Sequence, residues 1–395
     1  MKNIRYYTIS ALAAALLAAC GGSDPYVPGL GSPSGAPTTK GSFTAVVSFG
    51  DSLSDIGAYT PATSVTGDGK APYVGGKFTT NSATGTVWVE NIAASLGIVV
   101  TPAEVGFAGV SAKCPAAANP ALAGTCTGYG QGGSRVTDVN GIGHSTGALT
   151  VPVKTQIANH LARFTSFKDS DLIFVFAGAN DAFTQFGIFG ATAAQVQADA
   201  AAGKITADQA NGLLLQAQLT AQAGMKQAAQ ELGGYIKGQI LAKGGKYVVA
   251  MTLPDIVNTP FGQSAQVPAA VRPTLSALSQ TFNLWLREEL TGQPVQLIDN
   301  YALFAGFYNN PTSYGLTNVT VPACDATKIA AITGGKVTDG SSLFCNSTPG
   351  LPWNGIRAGA DVNTWLFSDA VHPTTGGHKV YSGELLKQLK AFGWI

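Results

Sequence analysis

This chain predicts an α/β architecture, a doubly wound parallel sheet with helices on both faces, and three observations lead there. Short, continuously apolar runs rich in Val, Ile and Phe recur along it, as they do where a strand is buried on both faces. Between them lie stretches with apolar residues at helical spacing. The two signals alternate, which is the pattern of successive parallel crossovers.

The first strand is expected at Thr44 to Phe49, an apolar, β-branched run that stops at Gly50-Asp51-Ser52. Thr86 to Leu96 then sets Val87, Val89, Ile92, Ala93 and Leu96 on roughly one helical face, and Gly97 stops it. Pro152 to Phe167 opens with a helix-starting proline and spaces Ile157, Leu161 and Phe164 for a helix. Asp171 to Ala177 (DLIFVFA) is a second buried strand, ended by Gly178. An Ala/Gln-rich region from Ala191 to Leu241 reads as helical, broken near Gly203. Tyr247 to Leu253 (YVVAMTL) is a third strand, Val271 to Leu290 a helix, and Val295 to Ile298 a fourth strand. Gly376 to Phe392 closes the chain as a helix.

Two segments fall outside the alternation. Gly97 to Thr150 and Leu316 to Leu366 are long, rich in Gly, Pro and Asn, and hold one cysteine pair each. Loops of that length are usually functional or pinned down. Both read as insertions stapled locally, by Cys114–Cys126 and by Cys324–Cys345.

The amino terminus reads as a processing segment. Lys2 and Arg5 precede a short apolar run, Ile9 to Ala19, which ends at Cys20. That run is too short for a permanent membrane span and matches an export signal. Leu17-Ala18-Ala19-Cys20 resembles the bacterial lipoprotein signal, which implies lipidation of Cys20. The alternative is an ordinary signal peptide cleaved nearby. Gly21, where an aspartate would act as a retention signal, implies release to the outer membrane; otherwise the expected address is periplasmic or secreted. Residues 20–41, rich in Gly, Pro, Ser and Thr, form the expected tether. Residues 42–395 form one domain with no second linker or internal repeat.

With a net charge of +1 and only 11% charged residues, the chain is a poor nucleic-acid binder. The same composition favours an uncharged or apolar substrate. Membrane contact is expected only through the N-terminal lipid. Of the five cysteines, four remain if Cys20 carries lipid, and disulfides are their default state outside the cytoplasm. There is no CxxC and no Cys/His cluster with zinc spacing, so neither metal nor other cofactor is expected.

Ser52 stands where a buried strand gives way to a turn, at the sheet edge where open α/β folds place ligands. Such a serine becomes a nucleophile if a base reaches it. The chain has four histidines. His160 falls mid-helix as a surface or boundary residue, His144 lies in a loop with no acid nearby, and His378 reads as exposed on the last helix. His372, in SDAVHPTTGG, follows Asp369 by three residues, and Pro373 disfavours helix at that point. Asp369 and His372 can thus converge on Ser52. A helix cap, a metal-ligand pair or an ordinary loop are the other readings of Asp-x-x-His, and the metal reading lacks further ligands nearby. Asn180, in Gly178-Ala179-Asn180-Asp181, falls at the same sheet edge, where its amide either donates to a developing oxyanion or caps the strand end. The block Gly128-Tyr129-Gly130-Gln131-Gly132-Gly133-Ser134 lets a backbone N–H approach a reacting atom closely.

FGDSLSD, the GGS loop, GAND and DAVH occur in one order from Gly50 to His372. Together they resemble the SGNH/GDSL esterases and lipases. The resemblance implies a flavodoxin-like sheet of the SGNH-hydrolase type. It implies Ser52 as nucleophile and backbone oxyanion donor, Gly133 and Asn180 as further donors, His372 as general base and Asp369 as its partner. One departure is that the family's glycine block usually opens Asn-aromatic-Ala, where this chain has Gly128-Tyr129-Gly130; that leaves open whether Gly132 or Gly133 donates.

The expected activity is hydrolysis of carboxylic esters through an acyl-enzyme. SFGDSLSD also resembles phospholipase/acyltransferase members of the family, which makes acyl transfer the alternative. An α/β-hydrolase needs G-x-S-x-G at its nucleophile, and Gly50-Asp51-Ser52-Leu53-Ser54 lacks the last glycine. A non-catalytic surface-binding lipoprotein is the distant third reading, because it predicts scattered loss among motifs that are all present.

Overall fold

The computed structural model describes residues 42–395. The expected signal peptide, the Cys20 lipidation site and the tether lie outside the described residues. In chain order come β1 (Ala45–Gly50), α1 (Trp88–Ser95), β2 (Glu104–Phe107), β3 (Val110–Lys113), α2 (Val153–Phe164) and β4 (Asp171–Phe176). Then follow α3 (Ala179–Ala201), α4 (Ala207–Tyr235), β5 (Tyr247–Met251), α5 (Arg272–Leu290) and β6 (Gln296–Ile298). The described chain ends with α6 (Asn300–Asn309), α7 (Ala326–Ile332) and α8 (Thr375–Ala391).

Four of the strands form a parallel sheet in the order β1-β4-β5-β6. On the free edge of β1, Ser48 donates its N–H to Thr127 O (3.0 Å) and accepts from Tyr129 N–H (2.8 Å), so residues 127–129 run parallel beside it. The sheet therefore grows from β1 in both directions. At such a switch point the chain leaves the C-terminal strand ends toward opposite sides and opens a crevice.

The helices cover both faces because the strands are apolar on both. Phe174 of β4 packs edge-on against Trp88 of α1, and Phe176 lies against Tyr381 of α8. On the other face Phe49 of β1, register partner of Val175, meets His160 of α2 and Phe167. Leu275, Leu278, Phe282 and Leu286 of α5 are all fully buried, as their spacing predicts.

Several expectations need correction. The helical region begins at Ala179, directly after β4, and not at Ala191; its break falls at Gly203, with Thr206 capping α4 through Gln209 N–H. The first insertion contains an antiparallel hairpin, β2–β3, and the second contains α7, neither of them legible in the Gly/Pro-rich sequence. Both local cysteine pairings are present, Cys114–Cys126 and Cys324–Cys345, closing 12- and 21-residue separations. Disulfides of this kind belong to chains that fold in an oxidising compartment, which marks an exported protein.

Candidate active site

β1 ends against its neighbour so closely that only glycine fits: a Cβ on Gly50 would lie 2.2 Å from Phe176 O. Gln156 of α2 fixes this end, its Nε2 donating to Gly50 O (2.7 Å) and its Oε1 accepting Gly50 N–H (2.9 Å). Asp51 caps the short 3-10 turn Ser52–Ser54 by accepting Leu53 N–H. The turn leaves Ser52 at the head of the crevice beyond β1.

Three hundred and twenty positions later the chain returns to this serine. His372 Nε2 lies 2.8 Å from Ser52 Oγ. On its other side Nδ1 reaches Asp369 Oδ2 at 2.8 Å and Oδ1 at 2.9 Å. Asp369 also accepts N–H bonds from Val371 and His372 on Oδ1, and from Ser342 on Oδ2. Burial works against the charge on Asp369, but the His372 imidazole and these donors more than offset it and hold the carboxyl far below its usual range. Burial likewise pulls His372 down; the charge and hydrogen bond of Asp369, with the charges of Asp51 and Asp55, outweigh it and raise the imidazole. The Phe78 ring covers His372 at 4.9 Å between centroids.

The glycine block and the end of β4 meet at the same place. Gly132 N–H is occupied, donating to Asp55 Oδ2 at 2.9 Å. Among the described residues, Gly133 N–H is bonded to no acceptor. Asn180, 6% exposed, gives one Nδ2 hydrogen to Ser134 O (2.9 Å) and has a second to offer. Arg135 and Val136 tie this loop to Asp181 through Arg135 Nε and Val136 N–H, both at 3.0 Å. Ser52, Gly133 and Asn180 all line one open cleft of about 2070 Å³ with His372 and Asp369. Its walls carry two aromatic groups, Tyr59 with Phe78 and Phe107, and Phe183 with Phe261.

The family profile described as GDSL-like Lipase/Acylhydrolase matches residues 46–384. The chain belongs to that family. Its sheet and helices have the SGNH-hydrolase arrangement, and family membership makes it an ester-acting hydrolase of the lipase/acylhydrolase kind. Among solved structures, an extracellular lipase from Streptomyces rimosus is similar at 14% identity over 87% of this chain and 99% of that one, with a TM-score of 0.36. No curated protein matches the chain.

Within this GDSL-family chain the other three histidines are occupied elsewhere, two of them differently from expectation. His160 is buried, not a boundary residue: it stacks on Phe167 at 4.4 Å, and burial pushes its imidazole down to about 4. His378 is also fully buried, accepting Trp88 N–H on Nδ1, and burial lowers it to about 3. His144 bonds Thr150 Oγ1.

Sequence reasoning missed Asp55. Its carboxylate gathers the N–H groups of Gly57 (2.8 Å), Ala58 (2.7 Å) and Gly132, which ties the serine turn to the glycine block. Its place three residues after Ser52 was the available signal. Asn81 and Ser342 were also missed, and nothing near them in sequence points to the site.

Proposed function

We propose that this GDSL-family chain is a serine carboxylester hydrolase whose nucleophile is Ser52. The observation that carries the reading is the unbroken relay from Ser52 Oγ through His372 to Asp369, with 2.8 Å at each hydrogen bond. With Nδ1–H donated to Asp369, Nε2 presents its lone pair to the serine hydroxyl. His372 takes the hydroxyl proton as Oγ attacks the ester carbonyl. The N–H groups of Ser52 and Gly133 and the free amide hydrogen of Asn180 receive the oxyanion. Gly133, not Gly132, serves because Gly132 N–H is held by Asp55. His372, now cationic and stabilised by Asp369, returns the proton to the leaving alcohol. Water then repeats the sequence on the acyl-enzyme.

The aromatic walls of the cleft favour an ester that is apolar and uncharged near the carbonyl. A panel of p-nitrophenyl esters of rising chain length, with phospholipid alongside, tests the substrate. Added alcohols that trap the acyl group separate transfer from hydrolysis. Ser52→Ala should abolish both ester hydrolysis and fluorophosphonate labelling with the fold intact; His372→Ala should be nearly as damaging and Asp369→Ala less so. Retained activity in His372→Ala, with loss in His144→Ala or His378→Ala, would overturn the assignment. For the amino terminus we infer cleavage before a lipid-modified Cys20 and a tether over residues 20–41, anchoring the domain at the outer membrane. Mass spectrometry of the mature N-terminus tests this, and an unmodified terminus elsewhere refutes it.

A further inference from the structure

The second stapled insertion touches the acid of the relay. Ser342 lies inside the loop closed by Cys324–Cys345 and aims its backbone N–H at Asp369 Oδ2, 2.8 Å away. Its carbonyl accepts Asn81 Nδ2 at 3.0 Å. Asn81, 6% exposed, extends the clamp: its backbone N–H donates to Cys345 O (2.8 Å), and its carbonyl accepts Ser347 N–H (2.7 Å). Gly76 N–H holds Leu343 O at 3.0 Å. The insertion is thus fastened at Ser342 and over the residues just after it to a segment remote from it in sequence.

The arrangement of donors on Asp369 gives this contact a purpose. Oδ1 is held by the N–H groups of Val371 and His372, both in the turn that carries His372 itself. A carboxylate held only there can still rotate about Cβ–Cγ. Apart from the imidazole, Ser342 N–H is the donor on Oδ2, and it comes from outside the turn. It fixes the plane in which the carboxylate meets Nδ1.

We propose that the Ser342 N–H, presented by the Cys324–Cys345 loop and clamped by Asn81, is a positioning group for Asp369, so that this insertion is part of the catalytic machinery. The inference rests on the relay proposed above, and its test is separable from that reading. Ser342 is the first residue of the 3-10 turn Ser342–Phe344, and Ser341 before it stands at φ −48°, ψ 127°. Proline is accepted at such a first position, and the ψ of Ser341 lies in the range that a following proline favours. Ser342→Pro deletes the N–H but sets its ring Cδ on the line toward Asp369 Oδ2, 2.8 Å from the nitrogen. Its loss of kcat therefore counts for the proposal only if Asn81→Ala, which frees the Ser342 carbonyl without filling that space, lowers kcat too. Loss of a hydrogen bond to a charged group predicts a fall in kcat of about 10- to 100-fold. KM should stay within about twofold, since the group does not touch substrate. Ser342→Ala keeps the N–H and should rescue kcat. In an Asp369→Ala background Ser342→Pro should cost little more, as expected of two residues acting as a unit.

Should Ser342→Pro not fold, Asn81→Ala, which frees the Ser342 carbonyl without opening the disulfide loop that lines the cleft, carries the same test. Lowered kcat with KM held, absent in the Asp369→Ala background, supports the proposal. A folded Ser342→Pro enzyme with wild-type kcat, an equal loss in Ser342→Ala, or full additivity with Asp369→Ala overturns it. Failure of Ser52→Ala to abolish hydrolysis would instead sink the underlying relay.

Discussion

Asp51 illustrates how closely charge is managed around Ser52. Its Oδ2 is buried with no hydrogen-bond partner, and burial pushes the carboxyl up to about 7, against the pull of Leu53 N–H and the His372 charge. A folded pKa above the unfolded value of 3.8 means that the stabilising contribution is complete below the unfolded pKa and is lost as pH rises through about 7. Asp51→Asn keeps an oxygen for the Leu53 N–H but cannot ionise. Melting curves should show the variant gaining on wild type at pH 8 and hardly at pH 4; an equal gain at both would refute the account. The same charge helps to raise His372. The acid limb of kcat/KM should accordingly lie above about 6.5, the ordinary imidazole value, and move to lower pH in Asp51→Asn. An unmoved limb would show that Asp51 does not act on the base.

At the scale of elements, the serine turn, the glycine block and the start of α3 converge because each ends or borders a neighbouring parallel strand. Gly133 has φ +79°, and a Cβ there would lie 2.0 Å from Ile142 O. Gly133→Ala should cost at least about 1–2 kcal/mol of stability from the left-handed backbone alone, and more from the clash. It should also lose most of its turnover, read from the melting temperature and kcat together; a stable, active variant would remove Gly133 from the oxyanion site. Asn180 joins α3 to this block through Ser134 O. Asn180→Ala should lower kcat by roughly 10²–10³ with KM little changed, since the amide acts on charge that develops only in the transition state. A loss confined to KM would assign it to ground-state binding instead.

For the whole molecule, two disulfides pin the insertions that flank the cleft. Each closes a loop of a size that typically adds about 3 kcal/mol, so either double Cys→Ser variant should melt lower. Their kinetic signatures should differ. The first insertion supplies cleft wall through Phe107 and Val110 but no bond to the relay, so opening Cys114–Cys126 should act on KM for long esters. Opening Cys324–Cys345 should lower kcat in addition to raising KM, because that loop lines the cleft through Val337, Leu343 and Phe344 and also bonds Asp369 through Ser342. Identical effects on both constants would mean that the insertions contribute only general rigidity.

Much of this was decided locally and could be read without coordinates. Buried strands announce themselves as unbroken apolar runs, and Gly50-Asp51-Ser52, Gly178-Ala179-Asn180 and Asp369-Ala370-Val371-His372 lie at strand ends or in a Pro-restricted loop. Residue type and neighbours fix such features. His378 was legible too and was misread: it shares the buried stripe of Tyr381, Leu385 and Leu389 at helical spacing. Only the tertiary structure decided which backbone groups are joined across the chain. The Asp55–Gly132 bond spans 77 positions and Asn81–Ser342 spans 261, whereas the His372–Ser52 pairing across 320 was expected from side-chain type and motif order. No local pattern encodes the first two pairings, because backbone N–H and carbonyl groups are the same at every residue. Which of them meet is set by how the sheet brings its strand ends together and by where the disulfides hold the loops.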